Sequence, residues 1–223
     1  MTFQQLNISQ PVLKALEEKQ FSTPTSIQQQ AIPVAMGGRD ILGLAQRGTG
    51  KTAAFAIPVI EHLYKKSQTE KNRRIRALVL TPTRELAIQI EEAFTAYGKY
   101  TGLKCVVIYG GVKQTRQVEQ LRRGADILIA TPGRLLDLIN QKIVDLSDIT
   151  HFVLDEADRM LDMGFVHDIK RLLPLLPRKR QNLLFSATMP KEIDAISKTI
   201  LHQPVKVEAA PVSSVVETIE QRL

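Results

Sequence analysis

The sequence predicts an α/β domain in which a mostly parallel central sheet carries helices on both faces. Two observations lead there. From residue 40 onward, short and nearly all-apolar runs alternate with stretches of helical periodicity, as expected of strands covered on both sides and joined by right-handed helical crossovers. The first of these runs, Asp40-Ile41-Leu42-Gly43-Leu44, leads directly into Ala45-Gln46-Arg47-Gly48-Thr49-Gly50-Lys51-Thr52, after which a helical pattern opens at Ala53. Strand, glycine loop, Lys-Thr and helix form the layout of a phosphate-binding loop.

Each part of that loop has a physical task. Gly48 and Gly50 let the backbone curl so that successive N–H groups converge on one anion. The helix beginning near Lys51 adds its positive end. Lys51 supplies a full charge for the β- and γ-phosphates, and Thr52 a hydroxyl able to ligate Mg²⁺. A glycine-rich turn that merely caps a helix would lack Gly-Lys-Thr at this offset.

The preface, residues 1–36, reads as helical. Ser9 is placed to cap a helix through Val12–Leu16. Phe21-Ser22-Thr23-Pro24 breaks it, because Pro24 lacks an N–H and disfavours helix before it. Thr25 or Ser26 then caps a helix from Ile27 to Met36, stopped by Gly37-Gly38. Beyond it, strands are expected at Ile41–Leu44, Ala77–Leu80, Val106–Tyr109, Ile127–Ala130, Phe152–Leu154 and Leu183–Phe185. Helices are expected at Ala53–Tyr64, Glu85–Tyr97, Val118–Arg122, Arg134–Asn140, Phe165–Leu172 and Glu192–Ile200. Residues 65–74 read as an exposed basic loop, and Val205-Lys206-Val207 as a short terminal strand. From Ala209 the composition is that of a linker, and the sequence reads as cut soon after it.

A second cluster follows the strand at Phe152–Leu154: Asp155-Glu156-Ala157-Asp158. An acid at the end of a buried strand near a phosphate loop is placed to hold Mg²⁺, here Asp155. The next acid, Glu156, can position or deprotonate an attacking water. An acid-rich helix N-terminus is the competing reading; the phosphate loop favours hydrolysis of a nucleoside triphosphate.

The rest of the composition sets bounds. Formal charge is +7, which permits a polyanionic partner without requiring one. The only cysteine, Cys105, lies in an apolar run and reads as a structural thiol in a reducing, cytoplasmic setting. The N-terminus lacks the pattern of a secretory signal, no apolar run is long enough to cross a bilayer, and no repeat of fixed period is present.

These residues carry a likeness to a known family. Asp155-Glu156-Ala157-Asp158 spells the DEAD box, and Gln28 in Phe21–Gln28 resembles the Q motif. Pro82-Thr83-Arg84-Glu85-Leu86-Ala87, Gly110-Gly111, Thr131-Pro132-Gly133-Arg134 and Ser186-Ala187-Thr188 resemble further motifs, in the family's order. The chain resembles DEAD-box ATP-dependent RNA helicases, bacterial RhlE-like ones in particular, over their N-terminal RecA-like domain. The resemblance implies residues 1–36 as a helical extension with the Q motif, 37–208 as a RecA-like ATP-binding domain, and 209–223 as the start of an interdomain linker.

It also implies roles. Phe21 would stack on adenine and Gln28 would read its edge. Arg47, Gly48, Thr49, Gly50, Lys51 and Thr52 would hold the phosphates, Thr52 and Asp155 the Mg²⁺. Lys51, Asp155 and Glu156 would be catalytic. Ser186 and Thr188 would couple the nucleotide to RNA by bonding the acidic motif, with helix capping as the alternative. Pro82, Thr83, Arg84, Gly111, Thr131, Gly133 and Arg134 would face single-stranded or duplex RNA through its backbone, independent of sequence. Internal ion pairs are the alternative for Arg84 and Arg134. A monomer is expected, completed by a second RecA-like domain whose arginines are worth roughly 10³–10⁵ in rate in related NTPases. These residues alone are expected to bind ATP but turn it over slowly. A DNA-directed helicase and an RNA clamp are the rival functions.

One departure stands out. The family usually carries a small hydroxyl residue where this chain has Arg47. An arginine there could strengthen phosphate binding, fold into the pocket and obstruct it, or point to solvent.

Overall fold

The computed structural model describes residues 1–67 and 73–209. The expected apolar runs all become strands: β1 (Ile41–Leu44), β2 (Ala77–Leu80), β3 (Cys105–Ile108), β4 (Ile127–Ala130), β5 (His151–Leu154), β6 (Gln181–Ser186) and β7 (Val205–Glu208). They form one sheet in the order β3-β4-β2-β5-β6-β1-β7, and every pairing is parallel. Successive side chains of a strand point to opposite faces, and two apolar layers result. Ala77, Val79, Ile127, Ile129, Val153, Leu183 and Phe185 pack into one. Leu78, Leu80, Leu128, Ala130, Phe152, Leu154 and Leu184 pack into the other. That is why these strands read as continuous apolar runs.

Helices cover both layers. α1 (Gln10–Glu18), α2 (Ser26–Met36), α3 (Lys51–Ser67) and α4 (Arg84–Tyr97) lie against the first. α5 (Thr115–Arg122), α6 (Pro132–Asn140), α7 (Ala157–Asp162), α8 (Val166–Leu172) and α9 (Lys191–Ile200) lie against the second. The preface shares this core: Phe3, Leu6, Val12, Leu16, Ile27 and Ile32 are buried in the same cluster as β1 and α3. Gly37 closes α2 and Gly38 takes φ +75°, the stop that the Gly-Gly pair predicts.

Three local expectations change. Ser9 stands at the start of α1, but its hydroxyl donates to Glu61 of α3 at 2.6 Å and its N–H to the same oxygen at 3.0 Å. It stands at the N-cap position as expected, but its side chain makes no cap hydrogen bond and fastens the preface to the domain instead. Of the basic loop expected over residues 65–74, Lys65, Lys66 and Ser67 prolong α3, and residues 68–72 lie outside the described residues. Arg73 is paired with Asp126 at 2.5 Å and Arg74 with Asp148 at 3.2 Å. The linker expected over 209–223 lies outside the described residues from 210 onward; Ala209 N–H still donates to the Leu44 carbonyl at 2.9 Å. Cys105 is partly buried, and burial raises its thiol well above the usual range, which suits a structural thiol.

Among the described residues, no helix is long and apolar enough to cross a membrane.

Candidate active site

Apart from Phe21–Gln28, which joins α1 to α2, the motif loops leave the carboxyl ends of strands. In sheets of this kind that edge is where ligands sit. The glycine loop follows β1, the acidic tetrapeptide β5 and Ser186-Ala187-Thr188 β6. Pro82-Thr83-Arg84 follows β2, Gly110-Gly111 β3 and Thr131–Arg134 β4. Sheet order therefore gathers the first three loops on one side and the last three on the other.

The glycine loop has the backbone its sequence demands. Gly48 and Gly50 take φ +78° and +91°, conformations that cost other L-residues strain. A Cβ on Gly50 would also stand 2.5 Å from Gln28 Nε2 and 2.8 Å from Thr25 Oγ1. That crowding is functional: Gln28 Nε2 donates to the Gly50 carbonyl at 3.1 Å, and Thr25 Oγ1 to the Thr49 carbonyl at 2.8 Å. Gln28 Oε1 meanwhile accepts from the Thr25 N–H at 3.0 Å. The start of α2 and the loop are thus sewn together through one carboxamide. Thr49 turns its hydroxyl onto the Gln46 carbonyl at 2.7 Å, supporting the loop from within.

Lys51 begins α3 and is buried. Its Nζ lies 3.4 Å from Asp155 Oδ1 and 3.9 Å from Glu156 Oε1. Asp155 is fully buried, and Oδ1 has no hydrogen-bond partner. Burial pushes its carboxyl above the usual carboxylate range, with Lys51 opposing the shift. Asp155, whose Oδ1 neighbours the Lys51 ammonium, lines the same cavity as Thr52, and a carboxylate with a threonine hydroxyl is a donor set for a hard divalent ion. Mg²⁺ is commonly held by one or two carboxylates together with substrate phosphates and water. The residues fit that ion.

Glu156 takes φ +56°, a left-handed conformation rare for glutamate and of the kind that gathers at active sites. Arg47 grips it with a two-pronged contact, Nε to Oε1 and Nη2 to Oε2, each at 2.7 Å. Arg47 thus borders the cavity and turns onto its acid, while its side chain stays 59% exposed. Arg159 Nη1 reaches Oε2 at 3.4 Å.

These groups line one cavity of about 370 Å³. Phe21, Gln28, Arg47, Gly48, Gly50, Lys51, Thr52, Asp155 and Glu156 all border it; Thr49 does not. Phe21 stacks on Phe3 at 6.5 Å and meets Tyr97 at 5.8 Å between ring centroids, leaving its own ring partly exposed. Leu86, Gln89, Ile90 and Tyr97 form a wall that the sequence reading missed. Their signal was one face of α4, indistinguishable by periodicity from core.

Ser186 and Thr188 bond the acidic motif, as one of the two readings held, and the atom they meet is on Asp158. The Asp158 N–H donates to Ser186 Oγ at 3.1 Å, while Asp158 Oδ2 accepts from Thr188 Oγ1 at 3.0 Å and from the N–H groups of Thr188 and Ala187. α9 begins beyond them, after Pro190. Asp158 belongs with the site, although only its place in the tetrapeptide hinted at it.

The other side of the edge is built differently. Gly111, at φ +77°, and Gly133 are exposed. Pro82 and Thr131 are buried. Thr83 caps α4 by accepting from the Leu86 N–H at 3.3 Å. Arg84 is exposed, with its guanidinium 4.9 Å above the Tyr109 ring. Arg134 departs from the expectation that it grips phosphate. Its side chain is only 10% exposed, and Nε lies 3.8 Å from Asp137 Oδ2, the internal ion pair that was its alternative; Nη1 donates to Gln117 Oε1 at 3.0 Å and Nη2 to the Val112 carbonyl at 2.8 Å. It pins the loop that carries Gly111, because those acceptors stand directly over the first turn of α6.

Comparison with known proteins agrees with this geometry. A family model described as DEAD/DEAH box helicase matches residues 25–196. The chain is 43% identical over 221 residues to the DEAD-box ATP-dependent RNA helicase CshA of Streptococcus pneumoniae (strain ATCC BAA-334 / TIGR4), covering 99% of this chain and 41% of that protein. It is 45% identical over 222 residues to the ATP-dependent rRNA helicase rrp3 of Schizosaccharomyces pombe, covering 99% of this chain and 47% of that protein. The crystal structure of a DEAD box protein from Methanococcus jannaschii superimposes with a TM-score of 0.86 at 40% identity, over 94% of this chain and 56% of that one. The chain spans less than half the length of these curated relatives. With a RecA-like all-parallel sheet, its motif loops on one edge and a family match over most of its length, the chain belongs to the DEAD/DEAH box helicase family.

Proposed function

We propose that this chain is the ATP-binding RecA-like half of an ATP-dependent RNA helicase. The observation that carries the reading is the meeting of Lys51, Asp155 and Glu156 in a cavity that Phe21 and Tyr97 also line. Its charged groups suit a triphosphate and its aromatic rings suit adenine. The names of relatives such as CshA and rrp3 supply the RNA.

In this reading Phe21 stacks on the base, and Gln28 exchanges its loop contact for the adenine edge. Lys51 and the loop N–H groups hold the β- and γ-phosphates. Thr52 and Asp155 would hold Mg²⁺, which supplies charge neutralisation on the phosphates. Glu156 orients the water for attack on the γ-phosphate. Asp158 passes the state of the acidic motif to Ser186 and Thr188. Thr83, Arg84, Gly111 and Gly133 face the RNA backbone. A second RecA-like domain completes the cleft, and closure on RNA parts a short duplex.

Titrating the chain with fluorescent ATP and ADP, with and without Mg²⁺, tests this. We expect saturable binding that Mg²⁺ strengthens for ATP. Lys51→Ala should weaken it by about 100-fold or more, as loss of a buried phosphate-binding cation does. Equal binding by the parent and Lys51→Ala would overturn the assignment.

A further inference from the structure

In the proposed reading Glu156 accepts a hydrogen bond from the attacking water, yet here both of its oxygens are already engaged. Arg47 donates one N–H to each at 2.7 Å. Arg159 adds a longer contact at 3.4 Å, and Lys51 stands 3.9 Å away. A guanidinium fork on a carboxylate fills both favoured acceptor directions at once. The Glu156 side chain is buried, while the Arg47 side chain is 59% exposed. Glu156 is thus fixed, and Arg47 is the partner able to leave. Arg47 also lies on the phosphate loop itself, beside Gly48, and borders the same cavity as Lys51 and Thr52.

An arriving triphosphate changes the balance at one point. Its terminal phosphate carries more negative charge than one carboxylate and offers three acceptor oxygens. Guanidinium matches both groups with the same planar fork. A diphosphate brings no such group to that position. Resting on the nucleotide assignment above, we propose that Arg47 is a latch that reads the γ-phosphate. Without it, Arg47 clamps Glu156 and keeps the carboxylate from water. With it, the guanidinium swings to the terminal phosphate, and one movement frees Glu156 while neutralising the phosphate beside it. No proton moves in this exchange; one charge-assisted contact replaces another. Arg47 acts on hydrolysis through Glu156 and is a positioning residue.

The test compares Mg²⁺-ADP with the non-hydrolysable Mg²⁺-AMP-PNP on the 223-residue chain. Dissociation constants are measured for the parent, Arg47→Thr and Arg47→Lys. Arg47→Thr should reduce the preference for AMP-PNP over ADP by roughly three- to tenfold and leave ADP affinity within about twofold, the range of one charge-assisted contact. Arg47→Lys, which keeps charge without the fork, should fall between. On the parent, the Arg47 Nε–H resonance should move on adding AMP-PNP and stay in place with ADP, a readout independent of how the variants fold. A preference unchanged in Arg47→Thr, or an Nε–H signal that AMP-PNP leaves unmoved, overturns the latch while the ATP site stands. A parent that binds neither nucleotide removes the ATP assignment, and the latch with it.

Discussion

The two sides of the sheet's carboxyl edge solve different problems with the same loops. After β1, β5 and β6 the groups interlock around buried Lys51, Asp155 and Glu156: Lys51 against Asp155, the half-exposed Arg47 against Glu156, and partly buried Asp158 against Thr188. After β2, β3 and β4 the exposed groups include three glycines (Gly110, Gly111 and Gly133) and Arg84, while the nearly buried Arg134 is spent on Gln117, the Val112 carbonyl and Asp137. Burial makes electrostatics strong and specific, as a small polyanion of fixed shape requires. Exposure with small residues leaves backbone N–H groups open to a long, variable strand. In the proposed reading, one half binds a small molecule and the other follows the contour of a strand.

Arginine substitutions separate the two kinds of construction. Arg134→Ala should cost about 3 kcal/mol of stability, since it strips charge-assisted bonds from two acceptors and frees the Gly111 loop. Arg84→Ala should change stability by less than about 0.5 kcal/mol, as exposed substitutions do. It should weaken binding of a single-stranded RNA oligonucleotide several-fold, because each phosphate contact contributes to affinity. Denaturant unfolding and RNA titration of both variants measure the contrast. Equal stability losses would erase it.

The opposite edge of the sheet sharpens the comparison by lying outside both halves. His151 opens β5 and is buried; its Nε2 lies 3.0 Å from His62 Nδ1, and Nδ1 2.9 Å from Thr150 Oγ1. Burial, with His62, Lys66 and Arg76 nearby, lowers its pKa from 6.5 to about 3. Between those values the unfolded chain binds a proton that the folded chain refuses, so stability falls as pH drops below 6.5. From pH 7 to 5 the loss from this group should be about 2 kcal/mol. Melting curves of the parent and His151→Gln across that range check it; the variant should lose much less. A parent with equal stability at both pH values would contradict the assignment.

How much of this was legible depended on where the determinants lie. Strands came through within a residue or two at each end because burial on both faces writes itself into consecutive positions, as in Ala77–Leu80. The glycine loop and Asp155-Glu156 were legible because their chemistry is local. α7 was hidden, since its residues Ala157–Asp162 begin inside the acidic motif and span barely more than a turn. Ser9, Arg47 and Arg134 were misread or left open for one reason. Each meets a partner far along the chain, Glu61, Glu156 and Gln117, although Arg134 also keeps its near neighbour Asp137. Nothing near Arg134 in sequence says that Gln117 will sit over it; a fold must first bring α5 beside α6.

The central claim is that one edge carries two separately addressed surfaces. Amide hydrogen exchange of the chain, free, with Mg²⁺-AMP-PNP, and with a single-stranded RNA oligonucleotide, tests it most directly. The account predicts nucleotide protection at residues 46–54, 155–158 and 21–28, and RNA protection in the loops after β2, β3 and β4. Nucleotide protection falling in those three loops, with none at Lys51 or Glu156, would contradict it.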